Sequence, residues 1–154
     1  MGETELYKQI RLASLKDAPY AFETTYESAV QRSDETWRER AEIGARGNDG
    51  ATFLALFEDR LVGIAALFRS QGQIDMAELM QVWVHPDFRG SGAAWDLMDT
   101  IFRWAKENNF RKIIAGVTNV NTKAIKFYTR YGFSRMAESA QSDPDSVYLI
   151  KEVE

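Results

Sequence analysis

The residues best suited to chemistry in this chain lie in Val82-Trp83-Val84-His85-Pro86-Asp87-Phe88-Arg89-Gly90-Ser91-Gly92-Ala93-Ala94. The stretch reads as a buried strand, a Pro-containing turn, a loop with two glycines, and the first turn of a long helix. A helix start leaves backbone N–H groups unpaired and aimed one way, with the positive dipole end behind them. Gly90 and Gly92 would let an anion such as a phosphate come close to that backbone. The same residues also fit an ordinary strand-to-helix turn whose glycines serve geometry alone. Glu78, a carboxylate in a largely apolar run, stands where burial could raise its pKa and make it a base. A solvent-facing position is the competing reading. His85 is the sole histidine and a second candidate base, although it precedes Pro86 in the turn. Tyr128 offers a phenol that is neutral at pH 7; with Ala124, Phe127 and Tyr131 it shares the spacing of a core helical face.

Composition narrows the chemistry. The 154 residues carry a formal net charge of −4, which argues against a nucleic-acid partner with its usual need for a basic face. No apolar run reaches the roughly 18–20 residues needed to span a bilayer, so no membrane partner is expected. The amino terminus has neither the basic region nor the apolar stretch of a signal peptide. Cysteine is absent, which excludes disulfides, a thiolate nucleophile and thiolate metal sites. One histidine leaves a zinc site short of ligands. The expectation is a metal-free, cytoplasmic domain spanning residues 1–154.

The elements that must position these residues follow from the apolar pattern. Residues 4–16 carry Leu6, Ile10 and Ala13, with Tyr7 and Leu15 nearby, and predict an amphipathic helix ended by Pro19. A second helical segment is expected from Phe22 to about Val30. A third is capped by Ser33 or Asp34 with Trp37 facing inward, and a loop runs from Gly44 to Gly50. Residues 52–57 and 61–68 are apolar runs joined by Glu58-Asp59-Arg60, a hairpin expected to be buried on both faces. A third strand covers about Ile74 to Val84. Ser91 to Asn108 repeats Ala94, Leu97, Met98, Ile101, Trp104 and Ala105 at helical spacing. Lys112 to Val117 reads as the next strand, closing a parallel crossover. Asn121 to Tyr131 is a shorter helix ended by Gly132. Phe133–Glu138 and Val147–Val153 read as final strands around the polar loop Ser139–Ser146. The fold class is α+β with a mixed sheet.

Two motifs now stand in order. Arg89-Gly90-Ser91-Gly92-Ala93-Ala94 fits the pattern Arg or Gln, two residues, Gly, one residue, Gly or Ala. One helix and one strand later comes Asn121-x-x-Ala124-x-x-Phe127-Tyr128-x-x-Tyr131-Gly132-Phe133. Together they resemble the GNAT superfamily of acyl-CoA-dependent N-acyltransferases over about half the chain. Ile10 to Phe22, with its Arg-Leu helix followed by Pro and Phe, is also similar to the first helices of many members. The resemblance implies the GNAT fold, a central mixed β-sheet flanked by helices. One departure is visible: members usually begin with a short strand, and here that first strand is missing, truncated or supplied some other way.

The resemblance also implies roles. Acetyl-CoA would be the cosubstrate, its pyrophosphate on the N–H groups of Arg89, Gly90, Ser91, Gly92, Ala93 and Ala94, with Arg89 adding charge. Its arm would pair with the backbone of Val82, Trp83 and Val84, which requires the strand starting at Lys112 to splay away. A backbone N–H there could polarise the thioester carbonyl. Asn121 would contact the arm while capping its helix, and Ala124 and Phe127 belong to the same cofactor-binding set. Tyr128 would donate a proton to the departing thiolate, and Glu78 would take the amine's proton, directly or through water. The implied function is acetyl transfer to a small-molecule or peptide amine by direct attack in a ternary complex; the alternative is a non-catalytic acyl-CoA sensor. A homodimer is common in the family. Tyr20, Phe22, Glu23, Tyr26, Glu27, Asp34, Glu35 and Trp37 would lie over the acceptor end. Their carboxylates fit either a cationic acceptor or a solvated helical face.

Overall fold

The computed structural model describes every residue except Met1, Glu23, Asn48 and 138–142, and describes the side chains of all of these but Tyr20 and Arg46. Helix α1 (Glu3–Asp17) buries Tyr7, Ile10, Arg11, Ser14 and Leu15. Ala13 is exposed and Leu6 only half-buried, so the inner face is rotated from the expected Leu6–Ile10–Ala13 stripe. Tyr7 and Leu15 remove more apolar area from water than Ala13 can. After a 3-10 turn at Pro19–Ala21, α2 is a short helix, Tyr26–Val30, capped by Thr25 rather than starting at Phe22. Ser33 caps α3 (Asp34–Arg46), its Oγ accepting from the Thr36 N–H at 3.1 Å. This helix continues through Gly44 into the expected loop and ends at Gly47, whose φ of 69° suits a residue without Cβ.

Strands β1 (Gly50–Phe57) and β2 (Arg60–Arg69) form the hairpin, turning on Glu58 and Asp59 with φ of 47° and 65°. Only β2 is buried on both faces. β1 lies at the sheet edge, and its Leu56 and Phe57 are each 55% exposed. β3 spans Met76–Val84, α4 Ala93–Glu107, β4 Lys112–Thr118 and α5 Thr122–Tyr131. The last two strands are shorter than expected, β5 (Ser134–Arg135) and β6 (Ser146–Glu152). Glu138 and the Ser139–Ser142 part of the polar loop lie outside the described residues.

The sheet order is β1-β2-β3-β4-β6-β5, with β3 and β4 parallel and every other pair antiparallel. Among the described residues no strand precedes α1, and β1 has one neighbour. One face of the sheet carries α1–α3 over Ile64 and Trp83. The other carries α4 and α5, packed through Leu97, Met98, Ile101 and Tyr128, with Phe133 just after α5, on Leu79, Ile113, Ala115 and Leu149. Among the described residues no helix is long and apolar enough to cross a membrane.

Two departures from regular pairing shape the centre. The β3–β4 ladder has four rungs, Met76 with Lys112 through Leu79 with Ala115, and then stops, although both strands continue. On the other side of β3, Ala65 of β2 faces both Gln81 and Val82, and Gln81 has φ 59°. That is a β-bulge, which bends its strand and increases local twist. The bend turns the carboxyl half of β3 away from β4 and opens a wedge between parallel neighbours.

Candidate active site

The wedge holds two adjoining cavities. One, of about 490 Å³, is lined by Val82, Trp83, Val84, Arg89, Gly90, Gly92 and Ala94, and by Asn121, Ala124, Phe127 and Tyr128 across from them. The other, about 310 Å³, runs from Tyr128, Asn121 and Ala124 past Val82 and Gly116 to Glu78, Phe22 and Arg11. Tyr128, Asn121, Ala124, Val82, Ala21 and Phe22 border both. Parallel strands that separate at their carboxyl ends are a usual place for a ligand.

Along β3 the backbone direction is set by its neighbour. The His85 N–H donates to Val62 O of β2 at 2.8 Å. By antiparallel alternation, Trp83 also turns to β2 while Val82 and Val84 turn their N–H and C=O toward the wedge. The Val84 carbonyl accepts from Arg89 Nε at 3.0 Å. Val82 thus carries the more open pair of backbone groups.

At the mouth, Pro86–Phe88 makes a 3-10 turn, and Gly90 and Gly92 follow with φ of 82° and 94°. A Cβ at either glycine would meet nothing within 4 Å, so backbone conformation, not crowding, demands glycine. The N–H groups of Arg89 and Ser91 are used inside the turn, donating to Pro86 O and Phe88 O. Gly92 is the N-cap of α4 and no side chain caps this helix; the first intrahelical donor is Asp96 N–H, to Gly92 O at 2.9 Å. The N–H groups of Ala93, Ala94 and Trp95 are therefore the open donors by helix geometry. Of the expected donor run Arg89 to Ala94, the Arg89 and Ser91 N–H groups are the ones engaged inside the turn. Ser91 and Ala93 side chains border a separate groove toward β1.

The Arg89 side chain is also placed differently from expectation. Its guanidinium lies 2.6 Å from Asp17 and bonds the Val84 carbonyl, so its charge is neutralised locally. Positive charge at the cavity comes instead from Lys123 and Arg130 of α5, which line it together with Trp95 of α4. Residues 123, 127 and 130 share a helical face, a signal present in the sequence but passed over for the two motifs.

α5 sets the inner residues. Asn121 caps it, its Oδ1 accepting from the Ala124 N–H at 3.3 Å, and no partner among the described residues occupies its Nδ2. Tyr128 is 6% exposed and packs on Phe127 and Phe133, with ring centroids 5.5 and 5.3 Å away. Aromatic contacts of Trp95 with Tyr131 and of Phe102 with Tyr131 and Phe133 tie α5 to α4. Burial pushes the Tyr128 phenol above its ordinary range, so it stays protonated and able to donate. Its hydroxyl has no hydrogen-bond partner among the described residues and borders both cavities.

Glu78 borders the inner cavity, one residue before the last β3–β4 rung. It is exposed rather than buried in its apolar run. His85 borders neither cavity; its Nδ1 accepts from the Asp87 N–H and its ring stands edge-on to Trp83 and Phe88. Of the aromatic-acidic segment, Phe22 reaches both cavities, Trp37 is sealed in the core, and Glu27, Asp34 and Glu35 are exposed on neither. Those three carboxylates are a solvated face. Glu23 and the Tyr20 side chain lie outside what is described. The sequence reading missed Asp17 and Arg11, both charged residues that α1 brings to the site.

An arrangement of open N–H donors, an unpaired strand backbone and a buried phenol in one wedge suits a phosphate-bearing extended ligand. Comparison with known proteins supplies the family. The acetyltransferase (GNAT) family matches residues 12–133. N-acetylaspartate synthetase of Danio rerio is 32% identical over 87 residues, 56% of this chain and 30% of that one. An uncharacterized N-acetyltransferase of Mycobacterium bovis is 32% identical over 83 residues, 54% of this chain and 52% of that one. This chain thus spans about half, or less, of the curated relatives it resembles. The crystal structure of an acetyltransferase of the GNAT family from Streptococcus pneumoniae superposes with a TM-score of 0.78 at 15% identity, covering 99% of this chain and 96% of that one; at that identity the likeness is one of fold. With well over half its length inside the family match, the chain belongs to the acetyltransferase (GNAT) family.

Proposed function

We propose that this chain transfers the acetyl group of acetyl-CoA to a primary amine by direct attack in a ternary complex. The observation that carries the reading is the continuous path from the uncapped start of α4, along the open edge of β3, to the Tyr128 hydroxyl. The residues fit such a cosubstrate: helix-start donors and Lys123 and Arg130 for its phosphates, the Val82 carbonyl and Val84 N–H for its amide arm, apolar Ala124 and Phe127 beside it.

Acetyl-CoA, when bound, supplies a thioester whose carbonyl carbon accepts the amine and whose sulfur departs. The chain's own residues then have separable tasks. The Val82 N–H, turned to the wedge, stabilises negative charge growing on the carbonyl oxygen. Tyr128 gives its proton to the leaving sulfur and is reprotonated, directly or through water, by the second proton that the nitrogen sheds as the amide forms. Glu78, within the inner cavity, takes the proton that the ammonium must lose, directly or through water. The N–C bond forms, the C–S bond breaks, and no covalent enzyme species is needed, in keeping with a chain free of cysteine.

Calorimetric titration with acetyl-CoA, paired with thiol release over an amine panel, tests this. Binding together with amine-dependent release is expected. Tight binding with no release from any amine would instead assign a sensor, and absence of binding would overturn the reading.

A further inference from the structure

Arg11 is the one charged side chain that α1 turns inward, 5% exposed. It lines the inner cavity together with Glu78 and Tyr128. Burial of a cation this deep normally comes with an anionic partner. Here, among the described residues, none is present. Nη1 makes a single long hydrogen bond, 3.3 Å, to Ser14 Oγ, which itself donates to the Arg11 carbonyl at 2.7 Å. The guanidinium carbon lies 4.7 Å from the centre of the Phe22 ring. A guanidinium has five N–H donors in a planar fork, so most of its donor capacity is unused among the described residues in a side chain that lines the cavity.

The electrostatic surroundings sharpen this. Desolvation lowers the Arg11 pKa to about 10; Tyr7 opposes this, and the nearby guanidinium groups of Arg32 and Arg40 act with it. At neutral pH the group is still a cation, held among cations. The bound state of the cavity would be favoured by any ligand bringing one negative charge to the fork, since a planar carboxylate can accept two parallel N–H bonds.

We propose that the acceptor is an amine that also carries a carboxylate, an amino acid rather than a simple amine or a polyamine, and that Arg11 seats this carboxylate. The inference rests on the acetyl-transfer reading above and names its substrate class. The inner cavity then has a two-ended polarity. Arg11 fixes the carboxylate under Phe22, while the amino end is presented to Glu78 and to the thioester position beside Tyr128. The cavity of about 310 Å³ suits a small amino acid. This reverses the hint of a cationic acceptor carried by Glu23, Glu27, Asp34 and Glu35; the last three stay outside the cavity, and Glu23 lies outside the described residues.

The test compares glycine, β-alanine, alanine and aspartate, each against its own amide, in thiol release with acetyl-CoA. It adds calorimetric binding of the same pairs to the CoA-loaded chain. The free acids should exceed their amides by about 10- to 100-fold in kcat/KM, mostly through KM, the range of a buried charge-assisted pair. Arg11→Gln should erase that preference, and Arg11→Lys should restore part of it, because a point charge replaces the fork. The wild-type acid–amide comparison needs no variant, so a misfolded Arg11→Gln leaves the test intact. Acids and amides turned over equally well by a protein that binds acetyl-CoA would overturn the role of Arg11 while acetyl transfer stood. No acetyl-CoA binding at all would fell acetyl transfer, and the acceptor assignment with it.

Discussion

Trp83 donates its indole N–H to Asp17 at 2.9 Å, across 66 positions of sequence. The same carboxylate oxygen lies 2.6 Å from Arg89. One residue at the end of α1 therefore fastens both the carboxyl end of β3 and the loop that leads to α4. Burial by itself would raise the Asp17 pKa, but the bonds from Trp83 and Arg89 outweigh it and hold the carboxyl below its ordinary range. A carboxyl lowered on folding stabilises the native state fully above its unfolded pKa, about 3.9, and loses that contribution as pH falls through the folded value. Asp17→Ala should lower stability near neutrality by about 1–2 kcal/mol and melt with a shallower loss on acidification below about pH 4. Thermal melts of both proteins across that range check it; parallel curves would remove Asp17 as a fastening point.

Tyr128→Phe keeps the ring packing against Phe127 and Phe133 and deletes the donor. Turnover should fall by about 10²–10⁴-fold, with acetyl-CoA affinity within about twofold of wild type by calorimetry. Turnover that survives intact would take the phenol out of the reaction.

Gly92 has room for a methyl group but sits at φ 94°. Gly92→Ala should therefore cost about 1–2 kcal/mol through backbone strain and shift the donors at the start of α4. Gly47, at φ 69° with equal room at the end of α3, is the control. Gly47→Ala should show a similar stability loss with acetyl-CoA affinity retained, whereas Gly92→Ala should bind about tenfold more weakly. Equal affinities for the two variants would argue against an anion at this turn.

If Glu78 accepts the ammonium proton, Glu78→Gln should lower kcat/KM by about 10²-fold near neutrality. The deficit should shrink as pH rises toward the amine's own pKa, because the free base then arrives without help. A pH–rate profile of both proteins reads this out. A deficit constant across pH would place Glu78 in positioning rather than proton transfer.

The motif residues and the fold class were legible in the sequence because local pattern specifies them. Gly90 and Gly92 need positive φ, Asn121 caps a helix, and apolar periodicity sets the sheet and α4. The extent to which β4 separates from β3 was expected as a requirement of the arm, but its cause lay elsewhere. The bulge at Gln81 depends on register against Ala65, a non-local property that residue type does not reveal. Long-range polar contacts were equally hidden. Nothing in the spacing of residues 11, 17 and 89 shows that Arg89 turns back to Asp17 or that Arg11 points into a cavity. β1 reads as a buried strand because its composition matches β2; only the absence of a second neighbour among the described residues leaves it half in water.

The four-rung ladder between β3 and β4 has a last consequence. A wedge closed at Leu79 and Ala115 is a stop: an extended guest entering from the α4 end advances until the strands meet, and no further. If an acyl-CoA pairs with β3 as proposed, the depth of the wedge would work as a ruler that sets where its leading atoms halt. Anything attached beyond that point would then enter the adjoining inner cavity and compete with the proposed acceptor for its volume. Acyl chain length would be sorted there by displacement rather than by a dedicated pocket.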